Sequence, residues 1–431
     1  MGGLDGWILV GAFAALLAIG VPVAVCIGVA TLAAMLMSID PGAAVTTVAQ
    51  RMGTGLDSFT LLAIPFFILA GHIMNRGGIA RRLIDLAKAV IGTLPGGLAV
   101  VNIVASMLFG AISGSAVAAA SAIGGMMTPR MRDEGYSNDF AAAVNITSAT
   151  TGLIIPPSNI LIVYSLASGG VSIAALFLAG YIPGMMLGLA LILVAGVIAI
   201  RRKYPVSDRV PFPVAARQFV AALPSLFLMV VVIGGIVAGV FTATEAAAVA
   251  VLYAGILALI YREISLKDVP ALLRDAGATT AIVALLIAAS VAMAWVLSYL
   301  QLPQAVSSGL IDLSANPIVV LLIINVILLV VGTFMDMTPA VLIFTPIFLP
   351  VAVGLGIDPV HFGIIMVMNL CIGLCTPPVG SVLFVGVAVA ETSIARVLAP
   401  LVPLWIAMVA ALFVVTYVPG LSLWLPRLLG Y

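Results

Sequence analysis

The chain has 431 residues, 64% hydrophobic and only 8% charged, and its mean hydropathy is +1.32. A soluble domain carries about 25% charged residues, so the composition excludes a soluble globular protein and specifies a polytopic membrane protein with runs able to span ~30 Å of hydrocarbon. With a formal net charge of +1, the placement of charges matters more than their sum, and no nucleic-acid partner is expected.

In chain order, the first apolar run, Trp7–Met37, is interrupted at Gly20-Val21-Pro22 and reads as two short helices or one broken one. No basic region precedes it and no clear cleavage site follows, so it is expected to be a retained helix rather than a signal peptide. Ser38–Ser58 is polar and expected at the interface, and Phe59–Met74 is the next span. The helix Ile79–Val90 carries Arg81, Arg82 and Lys88, is too charged to cross, and is expected to lie along the membrane surface with its cations against lipid phosphates. Pro95–Met131 is apolar with a small, hydroxyl-rich turn at Ser113-Gly114-Ser115, giving two arms of a hairpin that enters and leaves on one side. Phe140–Ser168 is a span broken at Ile155-Pro156-Pro157-Ser158, and Val171–Ile200 is continuous. A double proline removes backbone donors and clashes with the preceding turn, and such a break is tolerated at membrane depth only inside protein or beside a wet cavity.

Residues 204–217, with three prolines, form the expected cytoplasmic linker between a first repeat, 1–203, and a second, 218–431. The second half holds spans at Phe219–Ala238, Glu245–Tyr261 and Ala276–Leu300, a hairpin at Pro317–Val353 with a polar middle, Gly332 to Pro339, a span Phe362–Ala390 broken at Thr376-Pro377-Pro378, and a last span Leu398–Val418. A shift of 221 positions carries Pro156-Pro157 onto Pro377-Pro378, Pro129 onto Pro350 and Ser115 onto Asp336. Paired interrupted segments in two halves are the sequence pointer to a secondary-transporter site. Placing the connections around Arg76–Lys88, Arg130/Arg132, Arg201–Arg217, Arg262–Arg274 and Arg396 on one side gathers 15 of the 17 Lys and Arg there, leaving Arg51 and Arg427 opposite; that side is read as cytoplasmic. The first hairpin is then expected to open inward and the second outward, with inverted repeats and both termini periplasmic or extracellular.

The candidate chemistry lies at the interruptions. Ser113, Gly114, Ser115, Asn145, Ser158, Asp336 and Thr338 are the candidate substrate contacts. Ser113, Ser115, Ile155, Pro156 and Ser158 in the first half, with Gly332, Thr333, Asp336, Thr376 and Gly380 in the second, are the candidate ion ligands. Hydroxyls and freed carbonyls suit the hard cation Na⁺, and half-helix N-termini offer N–H groups to an anion. Asp336 stands out, because an ionisable group in a re-entrant turn defaults to function; it could equally cap the arm starting near Thr338-Pro339. Glu245 reads as part of a helix N-terminal cap, His72 as an interfacial residue, and Cys26, Cys371 and Cys375 as packing residues. There is no nucleotide-binding loop, metal-ligand cluster or Ser-His-Asp grouping, and only two histidines, so neither ATP-driven transport nor hydrolysis is expected.

The segments FGAISGSAVAAASAIGGMMTP, IPPS, GTFMDMTPAVLIFTPIFLPV and CTPPVGS resemble the large membrane subunit of tripartite ATP-independent periplasmic (TRAP) transporters over nearly the whole chain. The resemblance implies an all-α, elevator-type carrier with two inverted repeats, in which Pro95–Ser168 and Pro317–Ala390 move against a scaffold of outer helices. It implies Na⁺-driven import, with two or more ions, of a small organic acid across the bacterial inner membrane. It further implies delivery by a periplasmic binding protein, a separate small four-helix membrane subunit, and Na⁺ sites at Ser113–Ser115 with Ile155–Ser158 and at Gly332–Asp336 with Thr376–Gly380. The competing readings are a stand-alone divalent-anion/Na⁺ symporter, a membrane-embedded enzyme, and a structural subunit insensitive to loss of the Pro-Pro motifs.

Overall fold

Proline, glycine and polar caps cut the apolar runs into helices. In the computed structural model, which describes residues 2–91, 96–205, 211–314 and 316–431, the Gly20-Val21-Pro22 interruption separates α1 (Gly2–Ala18) from α2 (Val23–Ser38). The polar stretch expected at the interface contains helix α3 (Pro41–Gly55): Pro41 opens it and the Asp40 carboxylate accepts from the Gly42 N–H at 3.1 Å. After a 3₁₀ turn at Phe59–Leu62 come α4 (Ala63–Arg76) and α5 (Ile79–Ile91). The first hairpin is α6 (Gly97–Ser113) and α7 (Ala116–Asp133); Pro95, its expected start, lies outside the described residues. The first broken span is α8 (Asn138–Thr151) and α9 (Asn159–Ala167), followed by α10 (Ile173–Arg201).

The linker residues 206–210 lie outside the described residues, and the rest of that segment already enters α11 (Phe212–Val237). Then follow α12 (Ala243–Ile260), α13 (Val269–Tyr299) and α14 (Leu302–Leu313), the last a helix where the sequence suggested only a connection. The second hairpin is α15 (Pro317–Phe334) and α16 (Met337–Gly354), the second broken span α17 (Pro359–Gly373) and α18 (Ser381–Val389), and the chain closes with α19 (Ile394–Tyr417) and α20 (Gly420–Leu428). Among the described residues, eight helices, one of them counted with its preceding 3₁₀ turn, are long and apolar enough to cross a membrane. Thr242 caps α12 and Glu245 closes the reciprocal bond onto the Thr242 N–H at 2.8 Å, so the expected cap is a complete capping box.

Contacts between the halves come in matched pairs. Arm α7 packs on α18 while α16 packs on α9; α10 packs on α17 while α19 packs on α8. The hairpins and broken spans therefore form one inner body from both repeats. Within each repeat the first hairpin arm lies on the first half of the broken span, α6 on α8 and α15 on α17, and glycine sets the spacing. A Cβ added to Gly152 would lie 2.5 Å from the Gly110 Cα, and one added to Gly373 would lie 2.5 Å from the Gly332 Cα. Only small residues let backbones approach this closely inside a membrane.

Buried amides lock the same contacts. Ser148 bonds Ser106, which bonds Asn102, at 3.1 and 3.3 Å. In the second repeat the Asn369 amide donates to the Asn325 side-chain oxygen at 2.6 Å, and Asn325 donates to Thr416 at 3.3 Å. In hydrocarbon such groups lose far more by staying unpaired than they gain net by pairing.

An outer layer of α2, α3, α4, α12 and α13 packs around this body, reaching it through α4 on α6 and α13 on α16. Helix α5 bridges the two, resting on α11 and α6 with Leu83, Ile84 and Ala87 buried. Its charged residues lie near groups of opposite charge or aromatic rings, with Arg81 still largely exposed. Arg81 lies 3.6 Å from Glu263 and Lys88 3.7 Å from Glu134, Asp85 lies 3.7 Å from Arg130, and Arg82 donates to the Gly78 carbonyl while stacking over Tyr261. These pairs are half-exposed and each adds at most ~1 kcal/mol.

Alanine at Gly152 or Gly373 puts a methyl into opposing backbone, which cannot give way as a side chain would. Each is expected to destabilise by about 1–3 kcal/mol, seen as a lower melting temperature of the detergent-purified chain. Gly125→Ala, whose added methyl meets nothing within 4 Å, should leave it unchanged or slightly higher.

Candidate functional site

The first hairpin turns because Gly114 takes a left-handed conformation, φ 62°, which costs a residue with a side chain about 1–2 kcal/mol. Ser115 is then extended and caps α7, its Oγ accepting from the Ala118 N–H at 3.2 Å. Ser113 Oγ turns back onto the Ser115 N–H at 3.4 Å. A Cβ on Gly114 would lie 2.5 Å from Asn159 Nδ2, so the tip closes directly on the start of α9, just past the proline break. The second hairpin turns at Met335-Asp336. Asp336 holds the cap position of α16 with φ −69° and ψ 160°, but its side chain makes no N-cap bond. It occupies the place of a cap without doing a cap's work.

These elements meet in one cavity of about 400 Å³. Ser113, Gly114, Ser115, Asp336 and Thr338 all line it, as do Leu153 and Leu374 from the two breaks. The outer wall comes from α4 and α13. Asp336 is solvent-accessible because it faces this space, not because it lies at the periphery. The N-terminal turns of α7, α9 and α16 all reach the cavity through Ala116–Ala118, Asn159–Ile160 and Met337–Thr338. Three helix N-termini present partial positive charge and N–H groups to whatever enters. Among the described residues no lysine or arginine lines the cavity.

The other candidate residues sit behind this wall. Asn145 is fully buried and its amide donates to the Ala120 carbonyl at 2.8 Å, tying α8 to α7 across Gly124, while its Oδ1 has no partner. Ser158 donates to the Leu153 carbonyl inside the first break. The Ile154 carbonyl points at Gly180 of α10, where a Cβ would come within 2.2 Å, and Ile155 packs on Gly184. The break at Ile155-Pro156 thus turns its main chain toward α10 rather than into the cavity. Thr333 bonds the Val330 carbonyl, and Gly332 is the contact point for Gly373. Thr376 bonds the Ile372 carbonyl and accepts from Trp405 Nε1 at 2.7 Å, while Gly380 fits against the Leu374 and Thr376 carbonyls. Both Pro-Pro bonds are cis.

Four polar cavity residues were not selected from sequence: Asn159, Asn75, Ser121 and Thr279. Asn159 follows Pro156-Pro157-Ser158 directly, and its position just past a break was the available signal. His72, expected at the interface, lines the cavity instead, because α4 stands against the first hairpin rather than apart from it.

A hard monovalent cation fits the oxygen set here. Ser113, Ser115 and Thr338 offer hydroxyls, Asp336 a carboxylate and the hairpin tips main-chain carbonyls. No cluster of three His, Cys, Asp or Glu side chains able to hold a metal occurs among the described residues.

A membrane protein of two repeats, each a helical hairpin and a proline-broken span closing on one central cavity, has the architecture of a secondary carrier. The sequence matches the family described as tripartite ATP-independent periplasmic transporter, DctM component, over residues 10–421. It is 55% identical to the Salmonella typhimurium protein YgiK over 98% of this chain and 97% of that one. It is 42% identical to the C4-dicarboxylate TRAP transporter large permease protein DctM of Pseudomonas aeruginosa over 90% of each. The solved structure of the Alcanivorax borkumensis YdaH transporter shares the fold, with a TM-score of 0.64 at 15% identity, covering 87% of this chain and 88% of that one. The chain belongs to the DctM family of TRAP transporter components, and is a transporter component rather than an enzyme.

Gly114→Ala adds left-handed strain and a contact with Asn159 at the tip. It should cut uptake by the assembled transporter at least about tenfold, the equivalent of ~1.4 kcal/mol, while membrane abundance changes less than about twofold. Unaltered uptake would mean that tip geometry does not matter.

Proposed function

We propose that this chain is the large membrane subunit of a carrier that imports a small organic acid across the bacterial inner membrane, driven by Na⁺. A soluble periplasmic binding protein delivers the substrate, and a small four-helix membrane subunit packs on the outer layer. The inner body slides past the outer layer as an elevator. The observation that carries the reading is the single cavity lined by both hairpin tips and both breaks and walled by α4 and α13.

The electrostatics of that cavity favour ion coupling. An organic anion entering it meets one carboxylate, Asp336, and no cationic side chain among the described residues. Two like charges ~6 Å apart in a medium of effective dielectric about 20 repel by about 3 kcal/mol. Helix N-termini offset part of this, each by about 0.3–1 kcal/mol when exposed and more when buried. Bound cations at the tips supply the rest, so substrate and Na⁺ enter and leave together. Each positive charge moving inward across 100 mV contributes ~2.3 kcal/mol, and two or more ions suffice for a dianion. C4-dicarboxylate, the substrate for which the Pseudomonas relative is named, is the leading substrate class.

The positive-inside distribution places the C-terminal end of α4, at Arg76, and the N-terminal end of α13, at Asp275, on the cytoplasmic side. His72, Asn75 and Thr279, which lie toward those ends, line the cavity together with the hairpin tips. These positions support reading the state as inward-facing, with both termini periplasmic.

Purified chain should be more thermally stable in NaCl than in KCl of equal ionic strength. One site at a hundredfold excess over its Kd gives about 2.7 kcal/mol. Asp336→Ala should abolish most of the Na⁺-specific increment while leaving the KCl melting temperature within about 2 °C, a shift of no more than ~1 kcal/mol. Equal stability in the two salts would count against Na⁺ coupling.

A further inference from the structure

We propose that the outer layer supplies a second contact to the carried anion, made only in the inward-facing state, through His72 and Asn75 of α4. This rests on the reading that the cavity carries an organic acid. Ile64, Ile68, Gly71, His72 and Asn75 share one face of α4 and line the cavity. The face is apolar except at its cytoplasmic end, where an imidazole and a carboxamide appear. Neither side chain has a hydrogen-bond partner among the described residues. His72 is half-buried and Asn75 exposed at the cavity mouth, so both are free to donate to a ligand that enters.

Neighbouring groups do not compete for that role. The Thr279 hydroxyl already donates to the Asp275 carbonyl at 3.0 Å, and the Asp275 carboxylate holds Arg76 at 2.6 Å. Arg274 lies on the same carboxylate at 3.6 Å, so Asp275 is engaged by two guanidiniums, and neither arginine lines the cavity. His72 and Asn75 are thus the available donors on the outer wall.

The backbone of α4 brings them to the tip. A Cβ on Gly71 would lie 3.1 Å from the Ser113 carbonyl oxygen and 3.2 Å from its Cα. The residue next to His72 therefore touches the turn that holds Ser113 and Ser115. An anion held by the tip N–H groups and Asn159 lies between this turn and α4, where an imidazole N–H and the Asn75 amide donate to its free oxygens. When the inner body slides outward, the tip leaves this level of α4 and the contact is lost. His72 and Asn75 are therefore positioning residues for the inner half of the cycle: they raise affinity on the cytoplasmic side and set the rate of release. A hydrogen bond to a charged oxygen amounts to about 1.5–3 kcal/mol, roughly a tenfold to hundredfold change in affinity.

The test uses full-length His72→Cys and Ser115→Cys variants, co-expressed with the partner subunit, in inside-out membrane vesicles exposed to a membrane-impermeant maleimide. The three native cysteines are buried, so the unsubstituted chain is the blank. Succinate, N-acetylneuraminate, pyruvate and gluconate are tried in NaCl and in KCl. The expected result is that the same acid slows labelling of both cysteines in NaCl and neither in KCl. Protection of Ser115→Cys without protection of His72→Cys overturns this inference and leaves the carrier reading standing. Protection of neither by any acid overturns both. As a second measurement, His72→Gln keeps an N–H donor and should hold inner-side apparent affinity within about threefold, whereas His72→Ala should weaken it about tenfold; equal affinities in the two variants also overturn it.

Discussion

A helix that breaks within a bilayer must find new partners for the backbone groups it frees, because lipid offers none. That constraint organises this protein. The proline pairs at 156–157 and 377–378 interrupt two long apolar spans, and each interruption is absorbed by protein. Ser158 closes on Leu153, the Ile154 carbonyl seats on Gly180, and the Leu374 and Thr376 carbonyls wrap Gly380. The N-terminal turns of α7, α9 and α16 open into one cavity, the first of them already capped by Ser115. The breaks are sealed by protein while these turns stay open to the cavity, which is the asymmetry the proposed binding site uses.

Rigidity around the cavity comes from the same residues in both halves. The glycine contacts Gly110–Gly152 and Gly332–Gly373 seat each hairpin on its own broken span, and the Asn102 and Asn325 networks lock them. Reciprocal packing of α7 on α18 and of α9 on α16 then joins the halves. A body held this way can move as a unit, while its contact with α4 at Gly71 is main chain against a residue with no side chain to catch. The ion pairs of α5 with Arg130, Glu134 and Glu263 are weak enough to re-form in another arrangement.

Much of this was legible in the sequence because the signals are local. The Pro-Pro breaks, the Ser113–Ser115 turn, its counterpart at Asp336 and the 221-residue shift each lie within a few consecutive residues. Both hairpins and both broken spans appear where those signals place them, with ends shifted by a few residues. Helices α3, α14 and α20 were missed because they are short and marked by caps or turns rather than by long apolar periodicity. The glycine pairs were missed because a close approach between distant segments leaves no local trace; Gly152 looks like any glycine before a break. His72 was read as interfacial for the same reason: nothing near it in sequence reveals that Gly71 abuts the first hairpin. The carboxylates that lie near the α5 cations, Glu134 and Glu263, left no local signal because they are remote in sequence.

The central claim is that the turns of two hairpins entering from opposite sides meet at one place inside the membrane. Cysteines at Ser115 and Thr338 in the full-length chain, treated in native membranes with a short homobifunctional thiol cross-linker, measure this directly. An intramolecular cross-link in high yield, absent when a cysteine at Arg132 or at Gly356 near a hairpin base replaces either partner, is the predicted result. No cross-link between the tips, in membranes where both cysteines are shown to be reactive, would contradict the account.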